Sequence, residues 1–233
     1  MLSCQAIQFT NLSVKLYWWC AAFNYKVNAM NWQDFTAFAL LATAMSFTPG
    51  PNTALSAALA ANHGLRRAMP FIASVTVGWG LLLAVCSLGV GALVLAAPLL
   101  GWAIKLVGVA YLLWLSFRLA FQTQLPGAAT GRKLEVTFAQ GVAMQFVNIK
   151  AWMAALAVVG GWIAGRSDAT QRFAVLLPVM LGFAFFSNFT YALLGSLLRD
   201  WLVGPAGTGR RLVAFNRVMA AVLVVTAIWM LFR

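Results

Sequence analysis

The chain has 233 residues, 63% of them hydrophobic and 9% charged, with a formal net charge of +12 and a mean hydropathy of +0.86. A soluble domain carries about 25% charged residues, so a water-soluble globular class is excluded, and continuous apolar runs without strand alternation exclude a transmembrane barrel. The excess of Lys and Arg never forms a run longer than two residues, so it reads as the flanking charge of membrane spans and predicts a lipid-bilayer protein with no nucleic-acid partner.

Residues 1–29 hold one short apolar run, Leu16 to Phe23, behind Lys15. It is too brief to span a membrane and too bulky, with Tyr17, Trp18 and Trp19, to end in a small-residue cleavage site. The segment reads as a leader or as a misassigned start, with Met30 opening the protein proper; an interfacial leader is the alternative. Residues 30–233 then form a single domain. Six apolar segments follow, at about 35–60, 69–97, 102–121, 137–164, 173–198 and 212–232. The breakers between them are His63-Gly64, Pro98, Pro126-Gly127, Gly165-Arg166 and Gly204-Pro205 with Gly207 and Gly209.

The first segment is interrupted by Thr48-Pro49-Gly50-Pro51-Asn52. Two prolines remove two backbone donors, so the helix must break or kink. In lipid, the freed carbonyls are tolerated only against protein or a watery cavity. This predicts a broken helix lining a polar path, with a kink used for packing as the alternative. Shifting the sequence by 100 places Phe38-Ala39 on Phe138-Ala139 and Thr48-Pro49-Gly50 on Asn148-Ile149-Lys150. Halves of about 34–121 and 135–232, with three segments each, must sit inverted to one another. The fold class expected is therefore an all-α polytopic membrane protein of six transmembrane helices, arranged as two inverted three-helix repeats with helices 1 and 4 broken. Such repeats bind their cargo near the midplane, where the breaks meet.

The fourth segment supplies Gln140, Gln145, Asn148 and Lys150. A lysine at the centre of a span costs about 2.5–3.5 kcal/mol on insertion scales. The acids Asp34, Glu135, Asp168 and Asp200 all sit near segment ends, so Lys150 is expected to face a polar cavity and take a substrate carboxylate as counter-ion. The alternatives are a lysine held by carbonyls freed at the break, or one snorkelling along a tilted helix. Ser187, Asn188, Thr190 and Tyr191 in the fifth segment contact either substrate or neighbouring helices. Ser74 and Gly78, one turn apart, suit close helix packing, and His63 is expected in a loop. The cysteines Cys4, Cys20 and Cys86 show no metal or redox spacing. Nine Lys and Arg flank the 1–2, 3–4 and 5–6 connections against four on the other side. Those loops are then cytoplasmic and both termini outside.

The stretch SFTPGPNTALSAALAANHGLRRA resembles the amino-acid exporters of the LysE/RhtB family, which carry Pro-Gly-Pro in the first helix and a Gly-x-Arg loop after it. KLVGVAYLLWLS at 105–116 is similar to that family's third helix, QFVNIK at 145–150 to its fourth-helix Asn-Pro-Lys element, and Asn216-Arg217 to a further position. The resemblance covers about 34–233. Ile149 replaces the usual proline, and Ser74 and Ala220 stand where many members have glycine. TPGPN, QFVNIK and FSNFTYALLG together look most like the cysteine/O-acetylserine exporter subgroup.

The resemblance implies secondary active efflux of a small amino acid from a bacterial cytoplasm through the inner membrane, drawing on a proton or ion gradient. The sequence shows no P-loop for direct ATP drive. The substrate-binding set expected is Thr48, Pro49, Gly50, Pro51, Asn52, Gln145, Asn148, Lys150 and Asn188. Lys150 and Asn148 would hold the carboxylate, and the groups near Thr48 and Asn52 the other end. No cofactor, metal or catalytic residue is expected, and a homo-oligomer is left open. The rival readings are a cation exporter, which wants clustered Asp, Glu, His or Cys, and an intramembrane hydrolase with a Ser–Lys dyad using Lys150.

Overall fold

The structure, a computed structural model, describes residues 31–122, 135–204 and 209–232. The leader at 1–29, the Pro126-Gly127 breaker, Arg132, Lys133, Pro205, Gly207 and Arg233 lie outside the described residues. The elements are α1 (Trp32–Phe47), α2 (Pro51–His63), α3 (Leu65–Ser87), α4 (Val90–Ala96), α5 (Pro98–Ala120), α6 (Phe138–Val147), α7 (Ile149–Val158), a π-helical turn (Val159–Ile163), α8 (Ala169–Leu197), α9 (Arg199–Val203) and α10 (Arg210–Leu231). There is no strand among the described residues.

Local chemistry sets the ends. Asn31 caps α1 by accepting from the Asp34 N–H at 2.6 Å. Thr137 and Gln140 form a reciprocal capping box on α6. Pro51 and Pro98 open α2 and α5, where a missing N–H costs nothing. Gly64 stops α2 at a φ of 86°, a backbone region that only glycine adopts freely, which makes His63 the last helical residue. The second apolar segment, continuous to 97 in the sequence, divides in the structure, because Gly89 adopts a left-handed φ of 91° and starts α4 afresh.

The helices α3, α5, α8 and α10 are each long and apolar enough to cross a bilayer. The pair formed by α6 with α7 and the π turn is long and apolar enough for a fifth if it acts as one span, and it is bent by 68° at Asn148. By themselves α1, with 16 residues, and α2, with 13, fall short of the ~20 needed. The described residues thus supply four spans, or five with the bent pair, and the six expected from the sequence require α1 and α2 to act as one.

Inside the bundle, α2 is buried on every side from Thr53 to Asn62. It packs against α8, α3 and α10. Small residues permit this: a Cβ on Gly195 would strike the Ala57 carbonyl. Likewise Ser74 sits against Gly141, and Gly78 leaves room for Gln145, so the close approach expected of Ser74 and Gly78 joins α3 to α6. Two apolar clusters result. One holds Leu55, Phe71, Leu112, Met144, Ala192 and Leu223; the other holds Phe38, Trp79, Ala151, Leu176, Met180 and Ala184. The chain passes from one cluster to the other several times, among them between Ala42 and Ala54, between Met144 and Ala151, and between Ala184 and Ala192. Both helix breaks fall within those intervals.

Candidate functional site

Where the breaks meet, a cavity of about 60 Å³ opens. A water needs roughly 10–15 Å³ by this measure, so the space holds a few waters or the polar end of a small solute. Its wall includes Thr48, Gly50, Pro51 and Asn52 of the first break, Asn148 and Lys150 of the second, and Ser187 and Asn188 of α8. Val75, Trp79, Met180 and Ala184 supply apolar wall.

The first break leaves carbonyls that need donors. Thr48 N–H returns to the Ala44 carbonyl at 3.2 Å, and the Thr48 hydroxyl donates to the same oxygen. The Phe47 carbonyl accepts from the Tyr191 hydroxyl at 2.9 Å. The Thr48 carbonyl accepts from Lys150 Nζ at 2.7 Å. Gly50 N–H is taken by Thr53 Oγ1 at 3.0 Å, and Thr53 Oγ1 donates back to the Gly50 carbonyl at 3.1 Å. Gly50 also keeps the lysine path clear, since a Cβ there would lie 3.3 Å from Lys150 Nζ.

At the second break Asn148 turns its side chain back and accepts from the Lys150 N–H at 3.1 Å. This is an N-cap and restarts the helix as α7 without the proline that Ile149 replaces. Opposite it, a Cβ on Gly108 of α5 would overlap the Val147 carbonyl, so that glycine makes room for the bend.

Seven of the nine residues expected at the site line the cavity: Thr48, Gly50, Pro51, Asn52, Asn148, Lys150 and Asn188. Two do not. Pro49 is exposed and is not part of the cavity wall. Gln145 is fully buried and spends its amide on Asn52, in bonds of 2.9 and 3.2 Å, and on the Gly141 carbonyl. Lys150, read from sequence as a carboxylate ligand or as a lysine held by freed carbonyls, takes the second arrangement here. Asn188 accepts from Ser56 Oγ at 3.1 Å and donates to the Ala184 carbonyl.

Sequence reasoning passed over three features. Thr53 was legible as the third residue of a helix opened by Pro51. Ser56 and Asn62 were not, because their partners Asn188 and Asn216 lie 132 and 154 positions away. Asn62 and Asn216 exchange two hydrogen bonds, of 2.7 and 3.1 Å, and tie α2 to α10.

Ion pairs among the described residues gather elsewhere. Arg172 makes two bonds to Asp168, at 2.9 and 2.8 Å, and stands 4.0 Å from Asp34. Trp162 donates to the Asp34 carbonyl at 3.0 Å. This cluster joins the starts of α1 and α8 to the π turn. At the other end of α8, Ala61, Leu202 and Leu212 hold α2, α9 and α10 together.

These features define a multi-pass helical membrane protein with a polar cavity at the meeting of two helix breaks. The profile of the LysE type translocators matches residues 43–233, and the chain belongs to that family. It is similar to the "Cysteine/O-acetylserine efflux protein" of Klebsiella pneumoniae, with 28% identity over 83% of this chain and 94% of the relative. The protein of the same name from Escherichia coli O1:K1 is 28% identical over 81% and 91%, and that from Salmonella typhimurium 25% identical over 66% and 78%. No solved structure matches the chain.

Proposed function

We propose that the protein exports small zwitterionic amino acids, cysteine or O-acetylserine or a similar neutral compound, from a bacterial cytoplasm across the inner membrane. The reading is supported by the family and by the names its relatives carry. The observation that carries it is the contact of Lys150 Nζ with the Thr48 carbonyl at the cavity wall, where the two helix breaks touch.

The ends of the broken helices suit a zwitterion. The start of α2 offers N–H groups and the positive end of a helix dipole, and the end of α1 offers carbonyls and the negative end. Lys150 and Asn148 complete the carboxylate side, and the carbonyls near Thr48 the ammonium side. Residues 30–233 act as one transporter domain whose halves, 34–121 and 135–232, are inverted repeats, with α1 and α2 together forming the sixth span. Rocking of these halves about the cavity gives alternating access. A proton or ion gradient drives the export, and both termini lie outside.

Cells loaded with dipeptides of labelled cysteine, serine and threonine test this. Wild type is expected to release intact amino acid against a gradient, and Lys150→Met to lose that release. Well-expressed wild type that releases none of the three would overturn the proposal.

A further inference from the structure

The end of α1 is rich in acceptors. Pro49 has no N–H for the Met45 carbonyl. Gly50 N–H goes to Thr53 and leaves the Ser46 carbonyl without its helical donor. Met45, Ser46 and Thr48 all line the cavity. Carbonyls at the negative end of a half-helix that lines a cavity form a cation subsite. In the structure the cation there is the protein's own: Lys150 reaches across 102 positions of sequence to the Thr48 carbonyl.

We propose that the Lys150 ammonium is a tethered stand-in for the substrate ammonium, and that a carboxylate is needed to lift it off, so that Lys150 selects amino acids over plain amines. The inference rests on the amino-acid reading of the cavity and specifies how that site discriminates. An amine without a carboxylate brings a second positive charge into a cavity of about 60 Å³ and offers Lys150 nothing in exchange for Thr48. An amino acid carries both charges. Its carboxylate receives Lys150, and its ammonium takes the carbonyls that Lys150 leaves. No proton moves in the exchange, and no charge is left unpaired at its end. Among the described residues, the wall holds no other ionisable side chain to play either part. Cys86, Tyr111, Tyr191 and Lys105, on elements packed near Lys150, do not line the cavity.

The test uses the purified full chain in detergent, with binding measured by calorimetry. The ligands are serine and ethanolamine, which differ only by the carboxylate. Wild type is expected to bind serine and to reject ethanolamine. In Lys150→Met, serine should weaken and ethanolamine strengthen, each by about tenfold or more. A folded Lys150→Met, with the wild-type melting temperature, that gains no ethanolamine binding would falsify the stand-in role.

A second measurement needs no variant. Saturating propionate supplies the carboxylate separately and should confer ethanolamine binding on the wild type; ethanolamine binding that ignores propionate overturns the proposal. The two readings fail separately. Serine binding by wild type without amine gain in Lys150→Met removes the stand-in role alone. Amine gain in Lys150→Met without any amino-acid binding by wild type removes the amino-acid reading and the selection built on it, and leaves Lys150 only as the cation that occupies the Thr48 carbonyl.

Discussion

The carboxamides of Asn52 and Gln145 exchange two hydrogen bonds, Asn52 Nδ2 to Gln145 Oε1 at 2.9 Å and Gln145 Nε2 to Asn52 Oδ1 at 3.2 Å. The pair joins the first turn of α2 to α6 and sets one side of the cavity. Gln145 is wholly buried, so its amide depends on this partner and on the Gly141 carbonyl.

Removing one member should cost more than removing both. Asn52→Leu leaves a buried amide short of a partner, at a cost of about 1–3 kcal/mol, whereas paired apolar replacements can be close to neutral. Interhelical hydrogen bonds in membranes couple by about 0.6 kcal/mol on average. Unfolding of Asn52→Leu, Gln145→Leu and the double variant in a denaturing detergent series checks this. Strictly additive losses would show that the amides do not act as a pair.

Two glycines should respond in opposite ways. A Cβ on Gly108 overlaps the Val147 carbonyl and comes within 3.1 Å of Met230 Cε, whereas one on Gly161 meets nothing within 4 Å. Gly108→Ala should destabilise by about 1–3 kcal/mol through overpacking at the bend. Gly161→Ala in the π turn should stay within about 0.5 kcal/mol of wild type. Melting temperatures of the two purified variants decide the matter, and equal shifts would contradict this packing of α5 against the bend.

At the other ion cluster, Asp168 and Asp34 should differ. Asp168 holds the buried Arg172 guanidinium through two short bonds, while Asp34 stands 4.0 Å away with its side chain 37% exposed. Asp168→Ala is expected to cost about 1.5–3 kcal/mol, as for a lost charge-assisted hydrogen bond. Asp34→Ala should cost under about 1 kcal/mol, as for an exposed pair. The order of the two losses in thermal unfolding is the readout, and its reversal would place the main support of Arg172 at Asp34.

Much of this molecule is governed by local rules that one chain displays. Apolar runs require membrane helices, because backbone groups in lipid must bond internally. Pro49 and Pro51 deny α1 its continuation, and Asn148 caps the start of α7, so both interruptions are legible from residue type and spacing. A lysine inside an apolar segment, as Lys150 is, marks itself as costly from the sequence. Gly64 ends α2 for a purely local reason; Gly89 does the same for α3 but carried no comparable signal inside its apolar run.

Tertiary structure decided which polar group meets which. Lys150 lies on the Thr48 carbonyl, Gln145 on Asn52 and Asn62 on Asn216, across 102, 93 and 154 positions. Helical periodicity says which face a residue occupies but not the depth at which two helices register. That depth is fixed by contacts such as Gly141 against Ser74 and Gly195 against Ala57, which depend on the shape of both surfaces at once. Gln145 therefore read as a cavity ligand and folds as a buried partner, and Pro49 read as part of the wall and lies outside it. The sequence determined that the chain is built of membrane helices and that two of them break at Pro49-Gly50-Pro51 and at Asn148; only the packed bundle decided that these breaks touch, and that the lysine of one lies on a carbonyl of the other.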